Sequence, residues 1–368
     1  MTRKARVGIL FGGKSAEHEV SLQSAKSIVD AIDKTKYEVT LIGIDKGGQW
    51  HLNDASTFLL NADNPKLIAL NKGNEGVTLV PGARPNDNLM SLSGTGSLGA
   101  VDVVFPVLHG PYGEDGAMQG LFKLANIPFV GPGVLGAAVS MDKDVMKRLL
   151  KAADIPTPNC IAFQKSDQRN LTFDNIAAKL GCPCFVKPAN LGSSVGVSMV
   201  ENENQFKSAT ADAFQYDNKI ILEEFIAGRE IECSVLGNQD PIASMPGEVI
   251  TKHSFYSYDA KYIDEKGADL CIPAELPQDI TKQVQDLAIE TFKTLCCEGM
   301  ARVDFFVTKD GKVFVNELNS IPGFTKISMY PKLWEASGIP YTELIDRLIQ
   351  LALERHEREG GLKTYVDL

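Results

Sequence analysis

Arg302-Val-Asp-Phe-Phe-Val-Thr-Lys-Asp-Gly-Lys-Val-Phe-Val-Asn-Glu-Leu-Asn319 is the stretch to begin from, because its pairing can be worked out residue by residue. Two β-branched and aromatic runs flank Asp310-Gly311, a dipeptide suited to a two-residue type I′ hairpin turn. With that turn Lys309 faces Lys312, Asp304 lies opposite Glu317, and Arg302 lies opposite Asn319. Alternation along a strand puts these four, with Phe306 and Val315, on one face. Facing carboxylates repel unless a cation sits between them. The donors are all carboxylate and amide oxygens, which suits Mg²⁺ rather than Zn²⁺. The alternative is a solvated face with scattered charges, and Phe306 and Val315 count against it. The hairpin is expected to hold magnesium.

The 368 residues suffice for two or three domains. A formal charge of −10, without a basic block, argues against nucleic acid as a partner. No apolar run reaches the length of a membrane span, so no membrane partner is expected. The basic N-terminus is followed by an apolar run of only Val7 to Phe11, which does not make a signal peptide. Seven cysteines lack zinc or redox-motif spacing and read as thiols in a reducing cytoplasm.

A strand over residues 5–11, the Gly12-Gly13 turn, a helix with Leu22, Ala25, Val29 and Ile32 on one face, and a strand over 39–44 form a βαβ unit. It implies a parallel sheet. Residues 61–100 are polar, weakly periodic and read as a peripheral insertion. The sheet resumes at Val101–Leu108 and ends in His109-Gly-Pro-Tyr-Gly-Glu-Asp-Gly116. A helix is predicted over 141–152, then strands over 184–188, 197–200, 219–225, 230–237 and 242–250. Pro277 opens a helix running to about Cys297. A C-terminal helix carries Leu344, Leu348 and Leu351. The segment 251–270 mixes aromatics with charges, without periodicity, and reads as a mobile lid.

Two glycine loops compete for phosphate. Gly8-Ile-Leu-Phe-Gly-Gly-Lys-Ser15 matches the Walker A pattern. Its variable positions, however, include Ile9, Leu10 and Phe11, which belong inside the strand, so a P-loop is rejected. Glu17 and Glu19 nearby would attract an amine. The loop Lys187-Pro-Ala-Asn-Leu-Gly-Ser-Ser-Val-Gly196 instead joins two strands, with glycines for close approach and serines as donors. Beside Lys187 and a downstream acidic metal site, it reads as a phosphate clamp.

With these parts the chain resembles the ATP-grasp ligases, and within them the D-alanine–D-alanine ligase family. The matching segments are residues 11–21, 109–116, 141–143 (Met-Asp-Lys), 186–196, 258–262, 301–304 and Asn316-Glu-Leu-Asn-Ser-Ile-Pro-Gly-Phe-Thr325. Ser320-Ile321 is a small departure. The resemblance implies an α/β and α+β multidomain protein. A Rossmann-like N-terminal domain (1–138) would precede a two-lobed ATP-grasp domain (139–228 and 229–368).

It also implies a chemistry: ATP phosphorylates one D-alanine, and the amine of a second attacks the acyl phosphate. Lys143 and Lys187 would reach the ATP phosphates, joined by Lys261 when the lid closes, with Ser193 and Ser194 on the glycine loop. Glu223 and the backbone of Glu224, Phe225 and Ile226 would read adenine, and Glu230 the ribose; Phe255 and Phe306 join the nucleotide site. Asp304, Glu317 and Asn319 would hold Mg²⁺ or Mn²⁺, two ions in all. Arg302 and the amide of Gly323 would stabilise the tetrahedral oxyanion. Glu17, with His109 nearby, would hold the first D-alanine's ammonium, and Ser328 with the amide of Met329 the second's carboxylate. Tyr262 would bond Ser193, which bonds Glu17. A homodimer is implied by the resemblance alone. A D-alanine–D-lactate ligase or another ATP-grasp carboxylate–amine ligase is the alternative; a P-loop NTPase and a regulator without turnover fit less well.

Overall fold

The apolar run Val7–Phe11 needs covering on both faces, and that requirement shapes the first half of the chain. In the computed structural model, which describes residues 3–73, 75–82, 87–94, 96–251, 268–363 and 366, the strand Ala5–Gly12 is central. It pairs in parallel with Tyr37–Ile44 on one side and Val103–Val107 on the other. One face packs Val7, Ile9 and Phe11 against Leu22, Ala25 and Ile28 of the helix His18–Ala31. The same core takes in Leu344, Ile345, Leu348 and Ile349 of the C-terminal helix Tyr341–Gly360. The end of the chain thus folds back on its beginning. Leu10, Ile42 and Val104 cover the other face with Phe122 and Phe129.

Residues 61–100 are more ordered than their weak periodicity suggests. Strands Glu75–Leu79, Leu89–Ser91 and Ser97–Gly99 continue the sheet in antiparallel fashion beyond Trp50–Asn53, making seven strands. Val77, Leu79 and Leu89 enter the core. The alternation is only three to five residues long per strand, too short to stand out in sequence.

The predicted helix over 141–152 is found as Lys143–Ala152, and a separate helix, Val134–Met141, precedes it. They break at Asp142, whose carboxylate accepts the Val145 amide at 3.0 Å as an N-cap. A four-stranded antiparallel sheet follows in the order Cys160–Gln164, Lys219–Glu224, Cys184–Pro188, Ser198–Val200. The last sheet is built on Gly228–Gly237, paired along its whole length with Gly299–Thr308. The predicted strand over 242–250 is broken into Ile242–Ala243 and Gly247–Thr251. The helix Gln278–Thr294, opened by Pro277, buries Val284, Ala288 and Phe292 against Cys233, Val235 and Val303. That leaves the opposite face of this sheet, where Arg302 and Asp304 stand, for chemistry.

Candidate active site

The hairpin puts Arg302 opposite Asn319 and Asp304 opposite Glu317, as expected, but by two departures that cancel. The turn has three residues, not two. Thr308 donates its amide to Lys312 O at 2.9 Å, and Gly311, at φ 81°, closes the loop through its amide to Thr308 O at 3.0 Å. Lys309 therefore does not face Lys312. Next to the turn the pairs are Val307 with Val313, Phe306 with Phe314 and Phe305 with Val315. The register then shifts, leaving Asn316 as an extra residue before Glu317. Val315 consequently faces the core, fully buried, rather than the site. Phe306 remains on the site side, half-buried.

Side-chain cations answer the repulsion between the facing carboxylates. Arg302 donates to both oxygens of Asp304, at 2.7 and 2.8 Å, and its Nε also lies 2.8 Å from Glu232 Oε2. Asn319 Nδ2 donates to Asp304 at 2.9 Å, and Lys143 Nζ lies 3.3 Å from Glu317. Among the described residues no group of three or more His, Cys, Asp and Glu is gathered. Two carboxylates and one amide oxygen nevertheless suit Mg²⁺ or Mn²⁺, which fill their shells with water and phosphate oxygens. The donor chemistry fits a hard divalent cation.

Lys187 and Glu223, expected at the phosphates and the adenine, lie on the four-stranded sheet. Glu223 faces Phe185 across the ladder, so Lys187 lies diagonal to it on the same face. The two make a short ion pair, and Lys187 also stands 5.4 Å from the Phe185 ring centroid. Glu223 is buried, and its carboxyl is kept low despite burial because Lys147 and Lys187 flank it. Burial works against the Lys187 ammonium, but Glu223 outweighs it and holds the lysine up. Glu224 turns aside to accept the Asn159 amide at 2.6 Å. Phe225 is exposed near Phe185, and Ile226 and Glu230 are half-buried. Ser193 and Ser194 both adopt left-handed backbone, φ 53° and 59°, carrying the glycine loop through a tight turn.

The N-terminal unit meets this loop where Ser193 Oγ donates to Glu17, a buried carboxylate. His109 is buried beside them, its Nδ1 bonded to Ile321 O at 3.0 Å. Its Nε2 is buried without a hydrogen-bond partner among the described residues, and burial lowers its basicity while Glu17 opposes the fall. Gly323 packs so closely that a β-carbon there would lie 2.8 Å from Ser328 Oγ. Ser328 Oγ accepts the Thr325 amide at 3.0 Å at the start of the helix Met329–Ala336, and Met329 is buried. Tyr262, Phe255 and Lys261, with most of the expected lid, lie outside the described residues.

Three residues of the site carried no assignment from sequence. Glu114 accepts the amides of Gly110 (2.8 Å) and Ile321 (2.9 Å), tying the His109 loop to the loop after the hairpin. Burial, then Glu17, pushes its carboxyl up to about 8. Glu232 shares Arg302 with Asp304, and its place opposite Asp304 follows only from the pairing of two distant strands. Lys147 sits one helical turn after Lys143, a spacing visible in sequence but without a named partner there.

Residues 6–132 match the family described as D-ala D-ala ligase N-terminus, and residues 149–350 its C-terminus. The chain belongs to the D-alanine–D-alanine ligase family. It is 59% identical over 363 residues to the D-alanine–D-alanine ligase of Shouchella clausii (strain KSM-K16), covering 99% of this chain and 98% of the relative. Among solved structures it resembles the D-alanine–D-alanine ligase of Coxiella burnetii, at 39% identity and TM-score 0.83, covering 98% of this chain and 97% of that one. It also resembles the VanG D-Ala:D-Ser ligase of Enterococcus faecalis, at 34% identity and TM-score 0.83, covering 95% and 100%. The ligase fold therefore spans nearly the whole chain.

Proposed function

We propose that the protein joins two D-alanines at the expense of ATP, forming D-alanyl-D-alanine, ADP and phosphate for peptidoglycan precursors. The observation that carries this reading is the Ser193–Glu17 bond, which brings an amine-binding carboxylate against the phosphate loop. Glu17 holds the first substrate's ammonium. Lys143 and Lys187 draw charge from the transferring phosphoryl group. Arg302, with the Gly323 amide, receives the oxyanion when the second amine attacks the acyl phosphate. Ser328 and the Met329 amide hold the second carboxylate. Glu223, with the 224–226 backbone, takes adenine; Glu230 takes ribose. Asp304, Glu317 and Asn319 would hold Mg²⁺ or Mn²⁺, which when bound supplies positive charge to the ATP phosphates. His109, its Nε2 without a hydrogen-bond partner among the described residues, contacts the first substrate in this reading. Lys261 and Tyr262 act from a closing lid. A cytoplasmic homodimer is the assembly we infer from the family; no helix among the described residues is long and apolar enough to cross a membrane.

Phosphate release from ATP, measured with D-alanine, L-alanine, D-lactate and D-serine, tests the reading. D-alanine alone should give full turnover with stoichiometric dipeptide; release driven equally by another acceptor would overturn it. Asp304→Asn and Glu317→Gln should each lower dipeptide synthesis at least about a thousandfold while the fold persists. Because Arg302 and Lys143 already neutralise these carboxylates, neither variant should gain stability. Near-native turnover at saturating Mg²⁺ would sink the metal assignment.

A further inference from the structure

The register shift that aims Glu317 at the cation site is not held by the hairpin itself. The extra residue Asn316 is gripped from outside by the helix Lys143–Ala152 and the segment before the strand Cys160–Gln164. Val315 donates its amide to Pro156 O at 2.8 Å, outside the hairpin ladder. Lys147 Nζ donates to Asn316 O at 3.3 Å and to Thr157 Oγ1 at 3.0 Å. The same ammonium lies 2.6 Å from Glu223 Oε2. The ammonium thus makes two hydrogen bonds, to Thr157 and Asn316, and one ion pair, with Glu223. Lys147 is about 1% exposed, so it meets neither solvent nor the open cleft.

Lys143 and Lys147 are one helical turn apart and share a face. They reach consecutive residues of the other strand: Lys143 the Glu317 carboxylate, Lys147 the Asn316 carbonyl. A burial so complete is expensive for a lysine unless something specific is obtained from it. Thr157 and Asn316 offer neutral oxygens; among the described residues the counter-charge is Glu223, on the four-stranded sheet rather than the sheet of the hairpin. No other described side chain bonds both to the adenine-facing carboxylate and to the metal-side bulge.

We propose that Lys147 is a positioning residue that couples the two ends of the ATP site: it orients Glu223 toward the adenine amino group and clamps the Asn316 bulge so that Glu317 stays opposite Asp304. This deepens the ligase reading and rests on it for the ligands, not for the geometry. Lys187 meets the other oxygen of Glu223, so the carboxylate lies between a lysine at the cleft and one behind it. Removing Lys147 leaves Glu223 charged but free to swing toward Lys187, and leaves the bulge able to slip back into regular pairing. A slip by one residue would turn Glu317 to the core face.

The test uses Lys147→Met, of similar length and without charge, and Lys147→Met/Glu223→Gln, which removes the buried carboxylate left with Lys187 as its one ion-pair partner among the described residues. Mn²⁺ binding by electron paramagnetic resonance in the presence of a non-hydrolysable ATP analogue, and analogue binding by calorimetry, are read alongside turnover. Lys147→Met should weaken Mn²⁺ and analogue binding each by about tenfold or more, the effect expected when a residue behind a metal ligand is lost. The KM for D-alanine should stay within about twofold, and preference for ATP over inosine triphosphate, which lacks the adenine amino group, should shrink. The double variant should recover thermal stability yet keep the Mn²⁺ defect. If Lys147→Met folds with unchanged Mn²⁺ and analogue affinities, or if the double variant recovers stability and Mn²⁺ binding together, the coupling role is wrong and Lys147 is only part of the core. Wild-type turnover on D-alanine in the same assay shows separately whether the ligase reading holds.

Discussion

The two glycine loops look alike in sequence and are opposites in structure. Gly8–Ser15 matches a phosphate-binding pattern, yet its donors are already committed: the Gly12 amide donates to Ser21 Oγ at 2.7 Å and the Gly13 amide to Ile44 O at 2.8 Å. Gly8 is glycine because a β-carbon would lie 2.7 Å from Val101 Cγ1, a matter of strand packing rather than of ligand approach. The loop through Ser193 matches no such pattern, but it places consecutive left-handed serines between strands beside Lys187. What separates the two loops is the direction of the backbone and the charge behind it. A spacing of glycines alone supplies neither.

The sharpest way to break that contrast is at the lysines. Lys187→Ala should weaken binding of a non-hydrolysable ATP analogue by about a hundredfold, since it removes both the proposed phosphate partner and the cleft-side partner of Glu223. Lys14→Ala should change it by no more than about twofold. Calorimetry on the two variants decides, and the reverse order would restore the P-loop.

Ser193→Ala probes the joint between the loops. Loss of a hydrogen bond to a carboxylate is worth about 1.5–3 kcal/mol, so the KM for the first D-alanine should rise about tenfold or more. Analogue binding should move far less. Loss of analogue binding with an unchanged KM for D-alanine would mean that Ser193 serves the nucleotide alone.

Much of this contrast was legible beforehand, and the parts that were not share a cause. The buried run Ile9-Leu10-Phe11 could only be strand, so the Walker match could be rejected from sequence. The pairing of Asp304 with Glu317 could be counted along the hairpin. The Asn316 bulge could not, because Pro156 and Lys147 hold it from over a hundred residues away. Glu232 and Glu114 escaped for the same reason: each gains meaning from a partner on a strand or loop distant in sequence. Periodicity reports which face a residue takes, whereas a polar clamp is set by what that face meets.

Backbone geometry offers a smaller contrast. Gly196→Ala meets Tyr216 Cδ2 at 2.8 Å and Pro188 Cγ at 2.9 Å, at φ 68°. Gly13→Ala meets only Leu108 Cδ2, at 3.4 Å, although its φ of 95° is also strained. Both should lose about 1–2 kcal/mol to backbone strain. Gly196→Ala should lose more, and nucleotide affinity with it. Urea midpoints measure the first and calorimetry the second; equal losses would mean that the clamp tolerates a side chain.

The smallest expected effect separates the loops by protonation rather than by donors. Glu114 supports the N-terminal side of the site through the amides of Gly110 and Ile321, and its carboxyl is raised from an ordinary 4.5 to about 8. Burial is the main cause and the Glu17 carboxylate the second; the two amides oppose them. A group whose folded pKa is raised keeps its proton in the native state through a window in which the unfolded chain has lost it. Stability from this carboxyl is therefore fully present below about 4.5 and is lost as pH rises toward about 8. Glu114→Gln cannot titrate and turns an amide N–H toward one of the two backbone donors. It should be less stable than wild type at pH 5, by about 1 kcal/mol, and the gap should narrow steadily to pH 8. Urea midpoints at pH 5, 6.5 and 8 give the slopes directly. Parallel slopes would mean that Glu114 is ionised throughout, with the Gly110 and Ile321 amides outweighing both burial and Glu17.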